Sequence, residues 1–410
     1  MHIHASENTK SLLTIYAPSL AMSFGLGMTV PAIPLLAASF GVSLGLAAQV
    51  ITAQILGRTL FILPAGALVD RMGSKLAMLL GPALLVVAAV TAGFAPSFPV
   101  LLGAVFFQGA GSNLWQIGRE VAVINLVRPD QRGRAMSAFF GLTQFGMALG
   151  PLLGGVVTDL WGFRALFLVY AAIGCLVIAA TLNLRDLGPK RADRGSMFAF
   201  GRLRDIDPLF RTTFLVLIFA TFSMMLRTTV SNSMVPLYVG SELGYSATQV
   251  GSLFAVMGVI NVAMIFPAGF VSDKLGRKAA TVPAATLTGL SFVLFAGAES
   301  MPMLMIAAAV LGLGSGFANG SLTTSTFDIA PPGALARFQS LRRFAAELGA
   351  LSGAPLAGGV ASLFAPRVVF LFFSPPFLFS AILLAFVAKE TNPERRRGSS
   401  KIVESPPPAP

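Results

Sequence analysis

The sequence is short of charge. Asp, Glu, Lys and Arg together make up 11% of its 410 residues, against about 25% in an ordinary soluble domain, so there is too little polar surface to cover a water-soluble protein of this length. There is one cysteine, Cys175, which excludes an intramolecular disulfide and a cysteine-rich metal site. The two histidines, His2 and His4, sit together on a polar N-terminal tail. No metal-ligand cluster and no nucleophile–base pair emerges, so neither an enzyme nor a bound metal or other cofactor is expected. No G-x-x-x-x-G-K-[ST] string occurs, which argues against ATP-driven pumping by this chain. Gly312, Gly314 and Gly316 mimic a dinucleotide fingerprint, but no strand precedes them and the run around them is apolar, so they read as helix-packing glycines.

What is abundant is apolar: 55% of residues, with a mean hydropathy of +0.78. Lipid is the solvent that fits such a chain. The net charge of +12 sits in short segments between long apolar runs, where the positive-inside bias puts it. It does not form one basic face, so nucleic acid is not an expected partner.

Runs of about 20 apolar residues can cross a bilayer as helices. They fall near 12–39, 46–69, 76–95, 98–127, 135–160 and 164–184, then 209–240, 247–271, 279–297, 301–329, 338–362 and 366–388. The expected fold class is thus an all-α polytopic membrane protein of twelve spans. A tail over 1–11 precedes the first six-helix bundle (12–184), a polar linker over 185–208 joins it to the second (209–388), and a disordered tail follows over 389–410. The first run is too long for a signal-peptide core and lacks a cleavage pattern, so it stays as a span. Lys10, Arg71, Lys75, Arg128, Arg132, Arg134, the linker cations, Lys274, Arg277, Lys278 and Arg337 fall on one side, and only Arg164 and Arg367 on the other. The rich side reads as cytoplasmic, with both termini inside.

The two bundles repeat each other. PAGALVDRMGSK from Pro64 matches PAGFVSDKLGRK from Pro267, 203 residues on, and RALFLVYA from Arg164 matches RVVFLFFS from Arg367 at the same offset. Gly109, Gly111 and Arg134 meet Gly312, Gly314 and Arg337 in the same way. Six spans each make the repeats parallel, and transporters built so bind their solute near the midplane between the halves.

Charges inside a bilayer normally face a cavity or a partner. Spans 3, 6, 9 and 12 have none in their interiors. Span 2 has Arg58, span 4 has Arg119 and Glu120, span 7 has Arg227, span 10 ends in Asp328, and span 11 has Arg342, Arg343 and Glu347. Gln54 lies one turn before Arg58. Ser112, Gln116 and Arg119 form a stripe beside that of Asn113, Gln116 and Glu120, and Ser223, Arg227 and Ser231 recur every four residues. Of these, Arg58, Asn113, Gln116, Arg119, Glu120, Arg227 and Glu347 are the candidate substrate or proton pathway; the alternative is structural contact between packed helices.

Two motifs then resemble the major facilitator superfamily over 12–388. One is the loop Gly66, Asp70, Arg71, Gly73 and Lys75, with its second copy at Gly269, Asp273, Lys274, Gly276, Arg277 and Lys278. Ser74 stands where a basic residue is usual. The other is Gly146, Gly150, Pro151, Gly154 and Gly155 in span 5, similar to the motif of the family's antiporters, with Ser137 in place of its first glycine and an echo in Gly349, Gly353, Pro355, Gly358 and Gly359. The resemblance implies that Asp70 latches the cytoplasmic side shut near the start of span 11, where a helix dipole favours a carboxylate. It implies a secondary transporter, with proton-coupled efflux of small amphipathic or drug-like molecules as the leading expectation. A symporter or uniporter for a sugar or organic anion is the alternative, and a receptor that moves nothing is a further one. Gln108-Gly109 of a proton-antiporter motif is present, yet Val105 replaces its arginine and span 1 carries no acid. Arg119 with Glu120 or Glu347 is the expected substitute.

Overall fold

A bilayer offers no water to backbone N–H and C=O groups, so apolar runs of this length have to bond within themselves. The computed structural model describes residues 2–126, 132–182, 206–318, 320–331 and 335–392, with side chains withheld for 2–14, 124–126, 132–134 and 336. Every regular element among them is helical. Most of the linker, the tail beyond 392, and the side chains of His2, His4, Lys10, Arg128, Arg132 and Arg134 lie outside the described residues.

His2–Ala38 holds span 1 and runs through the segment read as a tail. Span 2 comprises Leu44–Ala47, Gln49–Leu60 and Ile62–Met72; span 3 is Ser74–Gly93 and span 4 is Phe98–Leu126. Spans 5 and 6 share Arg132–Leu182. Arg211–Pro236, Ala247–Ala263 with Ile265–Lys274, Arg277–Gly297, Met301–Ala318 with Ser321–Ile329, Leu335–Leu363, and Pro366–Ile382 supply spans 7 to 12. Nine described stretches are long and apolar enough to cross a membrane, or ten when the pair bent by 42° around Met264 counts as one span. Twelve follows when Ala135–Leu182 is divided at Gly162, where the backbone leaves the helix, and the 29-residue Phe98–Leu126 is added.

The repeat extends to irregularities. Spans 2 and 8 break at Phe61 and Met264, 203 residues apart, each three residues before a proline. Pro64 and Pro267 have no N–H to offer the carbonyl four residues back, and their rings crowd it. Spans 2 and 3, and spans 8 and 9, turn on Gly73 (φ 85°, ψ 165°) and Gly276 (φ 105°, ψ 162°), a region open to glycine almost alone.

The compact units are not the repeats. One contains Met1–Gly195, Thr229–Val262 and Leu351–Val369; the other contains Ser196–Thr228, Ala263–Ala350 and Phe370–Pro410. In the first, span 1 packs along the span 5–6 helix, and spans 2 and 3 both pack on span 4. In the second, spans 9 and 10 pack together, and Phe210, Phe214, Phe338 and Leu384 belong to one buried core. Large apolar side chains stand outward, Phe266 at 87% and Phe386 at 84% exposure, as a lipid-facing surface demands.

Candidate functional site

Span 4 presents the strongest anomaly. Arg119 is only 6% exposed. Its guanidinium carbon lies 4.7 Å from the centroid of Phe139 on span 5 and 5.8 Å from that of Trp115, one turn earlier. Its Nε and Nη1 have no hydrogen-bond partner among the described residues. Cation–π attraction reaches about 2 kcal/mol when desolvated, whereas removing a cation from water costs several. Asn113 Nδ2 and Trp115 Nε1 are also buried without partners. Span 4 therefore carries N–H donors suited to an acceptor or an anion. Glu120 is engaged instead by Gln116, its Oε1 accepting from Gln116 Nε2 at 2.9 Å. Of the two stripes read from the sequence, the Gln116–Glu120 pairing forms, while Arg119 turns inward to the aromatics.

Arg227 on span 7 donates from Nη1 to Ser315 Oγ at 2.8 Å and from Nη2 to Thr228 Oγ1 at 3.1 Å. Its Nε and the hydroxyl of Ser223 are buried without partners. Ser315 is not prominent in the sequence, although it lies 203 residues after Ser112, itself in the candidate stripe. Arg58 is half-buried near the end of Gln49–Leu60. Glu347 is half-buried on Leu335–Leu363, with Arg343 exposed.

The two signature loops differ. In the second, Arg277 Nε donates to Asp328 Oδ2 at 2.8 Å and Nη1 to Asp273 Oδ1 at 2.6 Å. Asp328, the charge at the end of span 10, is thus held in an ion pair. The backbone N–H groups of Arg277 and Lys278 donate to Glu390, at 2.8 and 3.1 Å. That corrects the expected tail, because 389–392 carries a carboxylate that caps a helix start, and Thr391 and Asn392 are buried. In the first loop Asp70 and Arg71 are exposed and Ser74 is buried. Lys75 Nζ donates to Leu182 O at 3.1 Å, and Lys278 Nζ to Ala385 O at 2.6 Å, residues again 203 apart.

The glycines of span 5 allow backbone contact. A methyl group on Gly150 would come within 2.6 Å of Phe24 O, and one on Gly154 within 2.5 Å of Met28 O, both on span 1; on Gly146 it would meet Ser23. Gly155 faces Ala247 and Thr248 at the start of span 8, where Gly251 and Gly258 meet Pro151 and Ala148 in return. Gly45 of span 2 lies against Gly358 of span 11 in the same way. These contacts between repeats lie within the first compact unit, at the end opposite the basic loops.

The sequence profile of the Major Facilitator Superfamily matches residues 19–218 and again 217–409. The chain is 28% identical over 302 residues to "Multidrug resistance protein MdtH" of Enterobacter sp. (strain 638), covering 72% of this chain and 71% of that one. It is 32% identical over 135 residues to "Multidrug resistance protein Stp" of Mycobacterium tuberculosis (strain CDC 1551 / Oshkosh), covering 32% of this chain and a quarter (25%) of the length of that relative. Its fold matches that of a POT family transporter in complex with 5-aminolevulinic acid with a TM-score of 0.77 at 13% identity, covering 92% of this chain and 95% of that one. A D-xylose-proton symporter matches with a TM-score of 0.71 at 15% identity, over 93% and 98% of the two chains.

Proposed function

Since the chain belongs to the Major Facilitator Superfamily, we propose that it is a secondary transporter working by alternating access, and that it exports small amphipathic or drug-like molecules in exchange for protons. The observation that carries export is span 5, whose glycines bring it into backbone contact with span 1 and with the start of span 8, as its antiporter-like motif implies. The names of the multidrug-resistance relatives point the same way. The protein sits in the plasma (inner) membrane with both termini cytoplasmic, the side of its basic loops. Its partners are the lipid bilayer, the solute and protons.

Glu347 carries the proton. Its repeat counterpart is the neutral Gln144, so the shared architecture does not demand the charge. Ionisable side chains inside membrane spans mark proton relays, and Glu347 is the one acid of span 11. Flux in proteoliposomes under pH gradients of either sign tests the reading, with influx of protons expected to drive solute the opposite way. Glu347→Gln should abolish gradient-driven flux and leave downhill exchange intact; unchanged gradient-driven flux would transfer the role to Glu120.

A second reading, transport of an organic anion, is favoured by the unpartnered N–H groups of Arg119 and Arg227. A gradient that drives solute in the same direction as the proton would select it.

A further inference from the structure

Span 8 begins with a helix whose own residues satisfy half of its free donors. The first four N–H groups of a helix have no partner within it. At this start Ser246 and Gln249 form a reciprocal capping box: Gln249 N donates to Ser246 Oγ at 3.3 Å, and Ser246 N donates to Gln249 Oε1 at 2.9 Å. That leaves the N–H groups of Ala247 and Thr248. Both donate to one carboxylate from the other repeat, Ala247 N to Asp159 Oδ1 at 3.0 Å and Thr248 N to Asp159 Oδ2 at 2.8 Å. Asp159 stands at the end of span 5, one turn after Gly155, whose missing side chain lets the two backbones meet. The helix dipole adds to the attraction.

The repeat-related contact has no such anchor. Ser362 occupies Asp159's place, and its hydroxyl donates to Gly358 O and Gly359 O of its own helix, at 2.8 and 3.0 Å. The start of span 2 that it faces is capped locally, Ser43 accepting from Leu46 N at 3.3 Å. A cavity of about 570 Å³ lies beside Asp159, lined also by Ser39, Thr158, Tyr245 and Ala247. It gives water a place from which to take over both the carboxylate and the two N–H groups once they part.

We propose that Asp159 is the latch of the outer gate: its carboxylate holds the start of span 8 against span 5 while the side opposite the basic loops is closed, and it must release each time that side opens. The latch rests on the alternating-access reading above, but its test does not require a known solute.

Spin labels on cysteines placed at Pro96 and Leu363, both exposed and in the first compact unit but in different repeats, in a Cys175→Ser background, report the distance across the outer ends by double electron–electron resonance in nanodiscs. The unaltered latch should give one dominant short distance. Asp159→Ala should raise the long-distance population about tenfold relative to the short one, equivalent to about 1.4 kcal/mol, and Asp159→Asn should raise it less. Ala247→Pro removes one of the two donors at a position where proline suits a helix, so it should shift the populations in the same direction. Added to Asp159→Ala it should contribute little more, since both changes break one interaction. An unchanged distance distribution in Asp159→Ala, or shifts in the two variants that simply add, would overturn the latch. Should Asp159→Ala not fold, Asp159→Asn and Ala247→Pro carry the same comparison. Absence of gradient-driven flux in the unaltered protein would overturn the transport reading and leave the distance result standing.

Discussion

The two signature loops are copies by sequence and different machines by structure. In the second, a four-membered set of charges is tied together inside one compact unit, with Arg277 between Asp273 and Asp328, and Glu390 on the backbone of Arg277 and Lys278. In the first, Ser74 takes the place of Arg277, Asn125 that of Asp328 and Leu187 that of Glu390, and no bond joins Asp70 to a described side chain. Among the described residues the lysine contact survives in both, Lys75 on Leu182 and Lys278 on Ala385. The second loop is therefore a fixed clasp, whereas among the described residues the first has no arginine to hold its carboxylate.

The comparison breaks most visibly at Arg277. Arg277→Ala leaves Asp328, 11% exposed in its side chain, without its cation, and stranding a buried charge costs about 3–5 kcal/mol. Thermal unfolding of the purified protein should show a large loss, against a change of about 1 kcal/mol or less for Ser74→Ala, which removes one hydroxyl and strands no charge. Similar losses in the two variants would erase the distinction between clasp and free loop.

A smaller effect sharpens it. Asp70→Asn should slow turnover several-fold with modest loss of solute affinity, because a bias of about 2 kcal/mol starves one of the two states the cycle needs. Asp273→Asn should act chiefly on stability. The idea of a moving latch fails if Asp70→Asn transports at the normal rate.

The least effect is expected where the copies agree. Lys75→Met and Lys278→Met each remove a cation from the end of a helix, worth typically 0.3–1 kcal/mol, and their melting curves should shift by comparable amounts. A markedly larger shift for either would show that the shared contact has also diverged.

Much of this was legible in the residues. Hydropathy and the offset of 203 place the spans, and Gly73 and Gly276 turn where their spacing predicts. The paired breaks at Phe61 and Met264 are signalled by Pro64 and Pro267. The partition of charges was less legible, because periodicity ranks residues by face and says nothing about distant partners. Asp328 reads as a lone charge at the end of span 10 and is claimed by Arg277 from another helix. Glu390 looks like the start of a polar tail until its oxygens are seen on a helix start. Asp159 attracts no notice in an outer turn, although the Ser246–Gln249 pair is a readable capping box whose two remaining donors call for an acceptor. Arg119 was legible as a buried cation and illegible in its company, since Phe139 is supplied by span 5 and only Trp115 by its own helix.

Gly162 (φ 79°, ψ 172°) is where the backbone leaves one helix, span 5, and starts another, span 6. That conformation is open to glycine almost alone, so a side chain at this position would strain the turn. A residue inserted further on, inside the helix of span 6, would advance every later side chain by about 100°. Leu176, now 70% exposed, would then take the buried place of Val177. The face of span 6 that meets lipid is thus set by where this turn ends.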